Sequence, residues 1–396
     1  MFVDVWWFIL LPILFGLGWF AARLDSRMER SSNEVPSAYF KGLNFLLNEQ
    51  PDKAIDAFVD VVQLDPETTD VHFALGNLFR RRGENERAIR VHKNLVDRGD
   101  LDESQREHAL FELGRDYLKA GLLDRAEDAF NRLEGSPYRA AALDQRLKIA
   151  QMVRDWPQAI DLAEQLDRQP GESHQSVVAH FYCEQAAAVA ATADVKEQAV
   201  PVIAASELLA RAIEADPAHI RALLMRGEFA LAKGDAAGAI TAWNRAFETA
   251  PRYAALVAAD WLEAHRLEGS LPAGIKVLEV IQEKEPSVDV LGALYKAIIA
   301  QRGEAAAISY LTAALTRQPS LLGYHQLVVA KGQNSEVGQG TELELGRQMM
   351  SRQVDRLSRY LCGHCGFSAQ RYYWQCPGCT RWDSYSPRRV EELDRD

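Results

Sequence analysis

The sequence predicts an all-α protein in which paired helices stack into a superhelical solenoid, with a transmembrane helix before the solenoid and a small metal-binding domain after it. Three observations support this prediction. An uncharged apolar segment runs from Val5 to Ala22. Small and aromatic residues then recur about every 34 residues. Finally, four of the five cysteines lie near the C-terminus as two C-x-x-C pairs.

The composition is that of an ordinary globular chain. Of the 396 residues, 47% are hydrophobic and 26% are charged, which supplies enough apolar surface for a large core. The 45 basic and 56 acidic residues leave a net charge of −11, which argues against general nucleic-acid binding by the whole chain. Five cysteines are too few for a disulfide scaffold, so the clustered four indicate a metal site in a reducing compartment.

The apolar segment predicts a transmembrane anchor over residues 1–23. Its residues from Val5 to Ala22, at about 1.5 Å each, would form a helix about 27 Å long, which is enough to cross a hydrocarbon core. A cleaved signal peptide would begin with basic residues, whereas this segment follows the acidic Asp4. By the positive-inside rule, three basic residues after the segment place the rest of the chain in the cytoplasm: Arg23, Arg27 and Arg30. Residues 24–37 are predicted to be a polar linker.

The repeat occupies residues 38–330. In its first unit a small residue, an aromatic residue, an alanine, a second aromatic residue and a closing proline follow in order: Gly42, Phe45, Ala54, Phe58 and Pro66. This is the tetratricopeptide pattern, in which small residues let the two helices of a unit approach closely. Later units keep the small residue or the closing proline: Gly76, Gly114, Gly227, Pro217, Pro251, Pro286 and Pro319. The chain resembles tetratricopeptide-repeat proteins, and the spacing predicts about eight or nine units.

Such an array predicts a binding protein rather than a catalyst. Stacked helix pairs form a long concave groove that binds peptides or proteins by surface complementarity. The motif residues themselves pack the core and carry no information about the partner. The sequence contains no Walker loop, dinucleotide fingerprint, HExxH motif or nucleophile elbow. We therefore assign no catalytic residue and no cofactor-binding residue.

The last segment predicts a structural metal site. A glycine-rich linker at residues 331–342 and a helix at residues 343–360 precede a small domain at residues 361–396. Two tight turns in this domain can each supply two thiolates, which together complete a tetrahedral site. The four predicted ligands are Cys362, Cys365, Cys376 and Cys379. Zinc is favoured because a site with four protein ligands is typically structural, while iron in a rubredoxin-like redox site stays open.

Other residues near the cysteines receive separate predictions. We expect Trp374 and Trp382 to cover the metal site and His364 to face solvent, and we expect the lone Cys183 to be a small buried hydrophobe. Between residues 347 and 389, eight arginines and two aspartates give a local charge of +6. This arginine cluster is suited to contact an acidic partner, anionic lipid or the acidic repeats of the same chain.

The order of the three parts, with the C-G-H-C-G and C-P-G-C turns, resembles the lipopolysaccharide assembly protein B family. The resemblance covers the whole chain, and the four cysteines match the family's metal ligands. It implies a single-pass protein of the bacterial inner membrane that faces the cytoplasm and promotes FtsH-dependent proteolysis of LpxC, the deacetylase that commits carbon to lipid A. It also implies that the cysteine-rich domain packs on the repeats, and that other inner-membrane lipopolysaccharide assembly proteins are partners. Homodimerisation stays open, and no nucleic acid is expected.

Two alternative functions stay open at this stage. A rubredoxin-like redox carrier would hold iron at the four cysteines and absorb visible light. A nucleic-acid-binding zinc ribbon would combine charge with stacking rings at Arg371, Tyr372, Tyr373 and Trp374, and its binding to single-stranded DNA would fall steeply with salt. The acidic array and the membrane anchor both argue against nucleic-acid binding.

Overall fold

A computed structural model of the chain describes residues 15, 19, 40–45, 47, 48, 50–64, 68–168, 171, 173–191, 199–332 and 341–393. Among these residues, no helix is both long enough and apolar enough to span a membrane. The predicted anchor at residues 1–23 lies outside the described residues except for Phe15 and Trp19, and so does all of the predicted linker at residues 24–37. The chain divides into two compact units after residue 171, and each unit is described separately.

The first unit is helical throughout its described part. Residues 40–45 are helical, and seven further helices follow: α1 (Pro51–Leu64), α2 (Thr69–Arg81), α3 (Asn85–Asp97), α4 (Glu103–Lys119), α5 (Leu123–Asn131), α6 (Arg139–Val153) and α7 (Trp156–Asp167). Consecutive helices pack on one another, as the repeat predicts. Ala159 and Ala163 of α7 are both fully buried.

The motif glycines lie where a ring from the second helix of a repeat packs on the backbone of the first. A Cβ atom at Gly42 would lie 2.6 Å from the Phe58 ring, and one at Gly114 would lie 2.7 Å from the Phe130 ring. The same sequence spacing joins Gly76 to His92 and Gly227 to Trp243. Because only glycine leaves room for these rings, the structure explains why the repeat motif requires a small residue at this position.

The second unit continues the helix pairs and ends in a small β-ribbon. Its larger helices are α8 (Gln175–Ala191), α9 (Ala199–Ala215), α10 (Ile220–Ala232), α11 (Ala236–Thr249), α12 (Ala254–Leu267), α13 (Leu271–Lys284), α14 (Val288–Arg302), α15 (Glu304–Arg317), α16 (Leu321–Gly332) and α17 (Thr341–Leu357). The core of this unit is centred on Trp243 and Trp261, each at most 1% exposed. The helix predicted at residues 343–360 is α17, which ends earlier because Tyr360 begins a strand.

The ribbon is a two-stranded antiparallel sheet with a short helix after it. Strands β1 (Tyr360–Leu361) and β2 (Ser368–Ala369) pair with Tyr360 opposite Ala369, and α18 (Val390–Leu393) follows. Two isolated bridges extend the pairing, one between Cys362 and Tyr385 and one between Gln375 and Trp382. Its small core contains Tyr360, Tyr385 and two of the cysteines. A domain with so little apolar surface needs additional stabilisation, which a bound metal or packing on the rest of the unit can supply.

Candidate metal centre and neighbouring groove

The four predicted ligands come together at one point of the ribbon. The Sγ atoms of Cys362, Cys365, Cys376 and Cys379 all lie within 4.8 Å of one another. The Cys362–Cys379 sulfur distance is 3.8 Å and the Cys365–Cys376 distance is 3.7 Å. Sulfurs bound to one tetrahedral zinc ion at about 2.3 Å stand about 3.8 Å apart, whereas a disulfide needs about 2.05 Å. The four thiols therefore fit a single tetrahedral metal ion.

Two equivalent backbone turns position these sulfurs. The N–H of Gly366 donates to the Cys362 carbonyl at 3.0 Å, and the N–H of Thr380 donates to the Cys376 carbonyl at 2.8 Å. Both donor residues have left-handed backbones, with φ of 73° for Gly366 and 59° for Thr380. Glycine adopts this conformation freely, but a β-branched threonine does so only under strain. The second glycine of the C-G-H-C-G pattern, Gly366, is a sequence signal for such a turn, whereas Thr380 gives none.

The thiols do not all ionise in the absence of a cation. Burial raises the pKa of Cys362, but hydrogen bonds from Ser384 and from nearby backbone N–H groups outweigh it and lower the pKa to about 6. A backbone hydrogen bond from Phe367 lowers the pKa of Cys365, but burial and the neighbouring thiols raise it to about 12. A metal ion that binds all four sulfurs must therefore displace protons.

Two further sequence predictions concern single residues. His364 is exposed, as predicted for a residue between two ligands. Cys183 is fully buried in an alanine-rich cluster, and burial raises the pKa of its thiol to about 12. It is therefore the inert apolar residue that the sequence predicted.

The two tryptophans that were predicted to cover the metal site pack on the repeat helices. Trp374 stacks on Tyr253 with ring centroids 5.7 Å apart, and Trp382 stacks on His180 with centroids 4.5 Å apart. The guanidinium of Arg221 lies 5.9 Å from the centroid of each tryptophan ring. The ribbon is thus docked on the repeats of its own unit through aromatic stacking and cation–π contacts.

Polar contacts reinforce this docking. The Nε2–H of the buried His180 donates to the Asp383 carboxylate at 2.8 Å. His219, whose ring contacts His180 edge-on, caps α10 by accepting the Ala222 N–H at Nδ1 over 3.3 Å. Burial, together with repulsion from His180, lowers the pKa of His219 to about 3, so the ring stays neutral and can accept this hydrogen bond. Sequence reasoning missed these residues because no local motif marks them.

Two arginines of the predicted cluster bind the repeats. Arg388 forms an ion pair with Glu285 at 2.7 Å, and Arg389 makes two hydrogen bonds of 2.8 Å to Asp289.

Helix α18 adds two carboxylates that cap helices of the array. Glu392 accepts the Val288 N–H at 2.6 Å, and Glu391 accepts the backbone N–H groups of Leu321 and Leu322. The last helix of the ribbon therefore binds the N-terminal ends of both α14 and α16.

A groove lies beside this docked ribbon. A cavity of about 800 Å³ is formed by α12, α14 and α16. Its lining is largely small or apolar, including Ala255, Ala258, Ala259, Gly292, Ala293, Ile299 and Val329, with Lys296 and His325 among the polar residues. Asp289 lines the cavity and also binds Arg389 of the ribbon. The candidate groove and the candidate metal centre are therefore connected through one residue.

Stacked helix pairs with a four-cysteine ribbon docked on them define a class of metal-binding helical-repeat proteins. The tetratricopeptide repeat family model matches residues 41–103 and 204–255, and the rubredoxin metal binding domain model matches residues 360–387. Lipopolysaccharide assembly protein B of Escherichia coli strain K12 is 35% identical over 96% of this chain and 97% of its own length. The Haemophilus influenzae protein of that name is 30% identical over 97% and 98%. The chain belongs to the lipopolysaccharide assembly protein B family.

Proposed function

We propose that this protein is a membrane-anchored, cytoplasm-facing adaptor that promotes FtsH-dependent proteolysis of LpxC and so regulates lipopolysaccharide biosynthesis. Its relatives carry the name lipopolysaccharide assembly protein B, and its repeats are of a kind that binds other proteins. The apolar segment at residues 5–22 supports the anchor. In this role the chain binds its clients and has no catalytic activity of its own.

The observation that carries this proposal is the groove on α12, α14 and α16. Its alanine and glycine positions let the backbone of a bound segment approach the helices closely. Ile299 and Val329 supply apolar contact at 37% and 38% exposure. Lys296 supplies a charged group that fixes the orientation of a client. This combination of an apolar surface with few polar groups is typical of protein recognition by helical repeats.

Crosslinking in membranes, followed by mass spectrometry, tests the groove with two matched variants. Ile299 lines the cavity, whereas Val280 is a similarly exposed apolar residue on α13 outside it. Ile299→Arg should lower the captured FtsH and LpxC at least about tenfold, because the client would bury an unpaired charge, and should lengthen the LpxC half-life. Val280→Arg should behave like the unmodified protein. Equal capture by the two variants would remove the groove from the mechanism.

The anchor is tested by deleting residues 1–22. Co-localisation in the membrane raises the effective concentration of adaptor and clients, so the deletion should weaken LpxC degradation while the remainder stays folded and soluble. Undiminished LpxC degradation by the shortened chain would argue against the anchor's role.

We further propose that the four cysteines bind a structural zinc ion. The tetrahedral spacing of the sulfurs and the lack of a fifth protein ligand within the described ribbon support this assignment. Metal analysis of the purified chain should find about one zinc per chain and a colourless protein. Stoichiometric iron with visible absorbance would instead support the redox-carrier alternative.

A further inference from the structure

Docking of the ribbon leaves part of the arginine cluster unused. Arg388 and Arg389 are paired with repeat carboxylates, as described above. Five other described arginines of the cluster are exposed, and we call four of them, Arg352, Arg356, Arg359 and Arg371, the arginine face; the fifth is Arg381. In the described part of the chain, none of the four forms an ion pair with a carboxylate, and Arg371 donates to the Tyr373 hydroxyl at 2.8 Å. The arginine face therefore has free positive charge.

Helical and strand geometry place these four residues next to one another. Met349, Arg352 and Arg356 are spaced three and four residues apart on α17, so they share one side of that helix. Arg359 follows α17 directly. The Arg389 guanidinium donates to the Ser358 carbonyl at 2.6 Å and approaches the Gln370 carbonyl at 3.5 Å. The segments that carry Arg359 and Arg371 thus meet at one point.

The acidic residues of this region are mostly occupied elsewhere. Between residues 349 and 393, Asp383 binds His180, Glu391 caps α16 and Glu392 caps α14. Asp355 is the remaining carboxylate in that range. The face therefore keeps a net positive charge although the whole chain carries −11. Charge complementarity selects an anionic partner.

The aromatic residues nearby do not support nucleic-acid binding. Trp374 is stacked on Tyr253, and Tyr372 packs in the core of the second unit and donates to the Tyr385 carbonyl at 3.3 Å. Neither ring is free to stack on a base, as binding of single-stranded nucleic acid requires. The arginine face thus offers positive charge but no ring that can stack on a base. This combination favours a partner that is recognised through exposed phosphate groups alone.

We propose that the arginine face binds the anionic phosphate surface of a lipid bilayer. Its charges extend from α17, where Arg352 and Arg356 are about 6 Å apart along the helix axis, to the end of the strand pair that Arg359 and Arg371 flank, and this spread matches a plane of phosphates better than one acidic side chain. Met349, which is 66% exposed beside Arg352, adds an apolar group that can enter the boundary between headgroups and acyl chains. The ribbon then lies against the anionic leaflet.

Arginine footprinting of the full chain in lipid nanodiscs tests this proposal. Phenylglyoxal modification followed by mass spectrometry compares phosphatidylcholine discs with discs that contain about 30% phosphatidylglycerol. The four arginines of the face should react at least about tenfold more slowly in the anionic discs, since each arginine near such a leaflet favours contact about fivefold. About 0.5 M salt should reverse the protection. The exposed Arg211 and Arg226 serve as internal controls and should react equally in both discs.

Variants and competing ligands separate the alternatives. Arg352→Glu with Arg356→Glu should also restore the reactivity of Arg359 and Arg371, because all four contribute to one contact. Equal reactivity in both kinds of disc would overturn the proposal. Protection by inorganic phosphate in neutral discs would indicate a small-anion site, and stronger protection by single-stranded DNA would indicate a nucleic-acid surface. Either of these outcomes would also overturn it.

Discussion

Replacing Arg389 with alanine should loosen the docked ribbon by about 2 kcal/mol. The guanidinium makes two hydrogen bonds of 2.8 Å to Asp289 and lies 4.0 Å from the Tyr360 ring centroid. The Arg389 and Asp289 side chains are 19% and 28% exposed. Such a pair falls between exposed pairs, which contribute less than about 1 kcal/mol, and buried pairs, whose disruption costs about 3 to 5 kcal/mol. A loss of about 2 kcal/mol is a roughly thirtyfold change in the docking equilibrium.

Native-state hydrogen exchange measures this loss directly. The reporters are the backbone amides of β1 and β2 and that of Val390, which donates to the Arg359 carbonyl at 2.8 Å. A double-mutant cycle with Asp289→Ala isolates the pair, and we expect a coupling free energy of about 1 to 1.5 kcal/mol. Arg317→Ala is the control, because the Arg317–Glu283 pair is 60% and 64% exposed and should contribute less than about 0.5 kcal/mol. A coupling below about 0.3 kcal/mol would refute the reasoning.

Three further predictions concern the metal centre, the cap of α10 and the repeat packing. The double variant Cys376→Ser with Cys379→Ser should reduce the metal content below about half of the stoichiometric value and speed hydrogen exchange in the ribbon. It should also raise LpxC abundance in cells, and an unchanged LpxC half-life would contradict the adaptor role. The pKa of His219 is about 3 in the folded chain and about 6.5 in the unfolded chain. At pH values between these two, the unfolded chain therefore binds one more proton at this residue than the folded chain does. The free energy of unfolding should therefore fall as the pH drops through that window in urea titrations, and His219→Asn, which keeps an acceptor at the cap, should reduce the slope. Gly227→Ala should destabilise the protein by about 1 to 3 kcal/mol because its Cβ would overlap the Trp243 ring; an unchanged thermal midpoint would show that the ring moves freely.

The sequence predicts the repeat and the four cysteines well because both depend on local spacing. Within one helix pair, the glycine of the first helix and the ring of the second are separated by a fixed number of residues, so their contact is visible as a repeated pattern in the sequence. The second repeat shows the limit of this reasoning: His92 takes the position of the aromatic residue, and it carries no hydrophobic signal. Its side chain is fully buried and its Nδ1 contacts Asp116 at 2.5 Å, an arrangement that depends on the following repeat.

The family resemblance implies that the ribbon packs on the repeats, but the residue pairs that dock it could not be predicted from the sequence. Arg389 and Asp289 are 100 positions apart, and His180 and Asp383 are 203 positions apart. Such pairs are set by the curvature of the stacked helices, which periodicity does not specify. For the same reason Trp374 and Trp382, which lie close to the cysteines in sequence, were assigned to the metal site although they pack on α8 and the turn before α12.

Helix α18 couples the groove of the second unit energetically to the four cysteines of the ribbon. Its glutamates cap α14 and α16, and both of those helices line the groove. A client that separated the two helices would weaken the caps, and loss of a bound ion from the cysteines would loosen the same caps from the side of the ribbon. Thermodynamic reciprocity would then require that client occupancy alter metal affinity by the same factor by which metal alters client affinity. Measurement of either affinity in the presence and absence of the other ligand would give the size of this cooperativity.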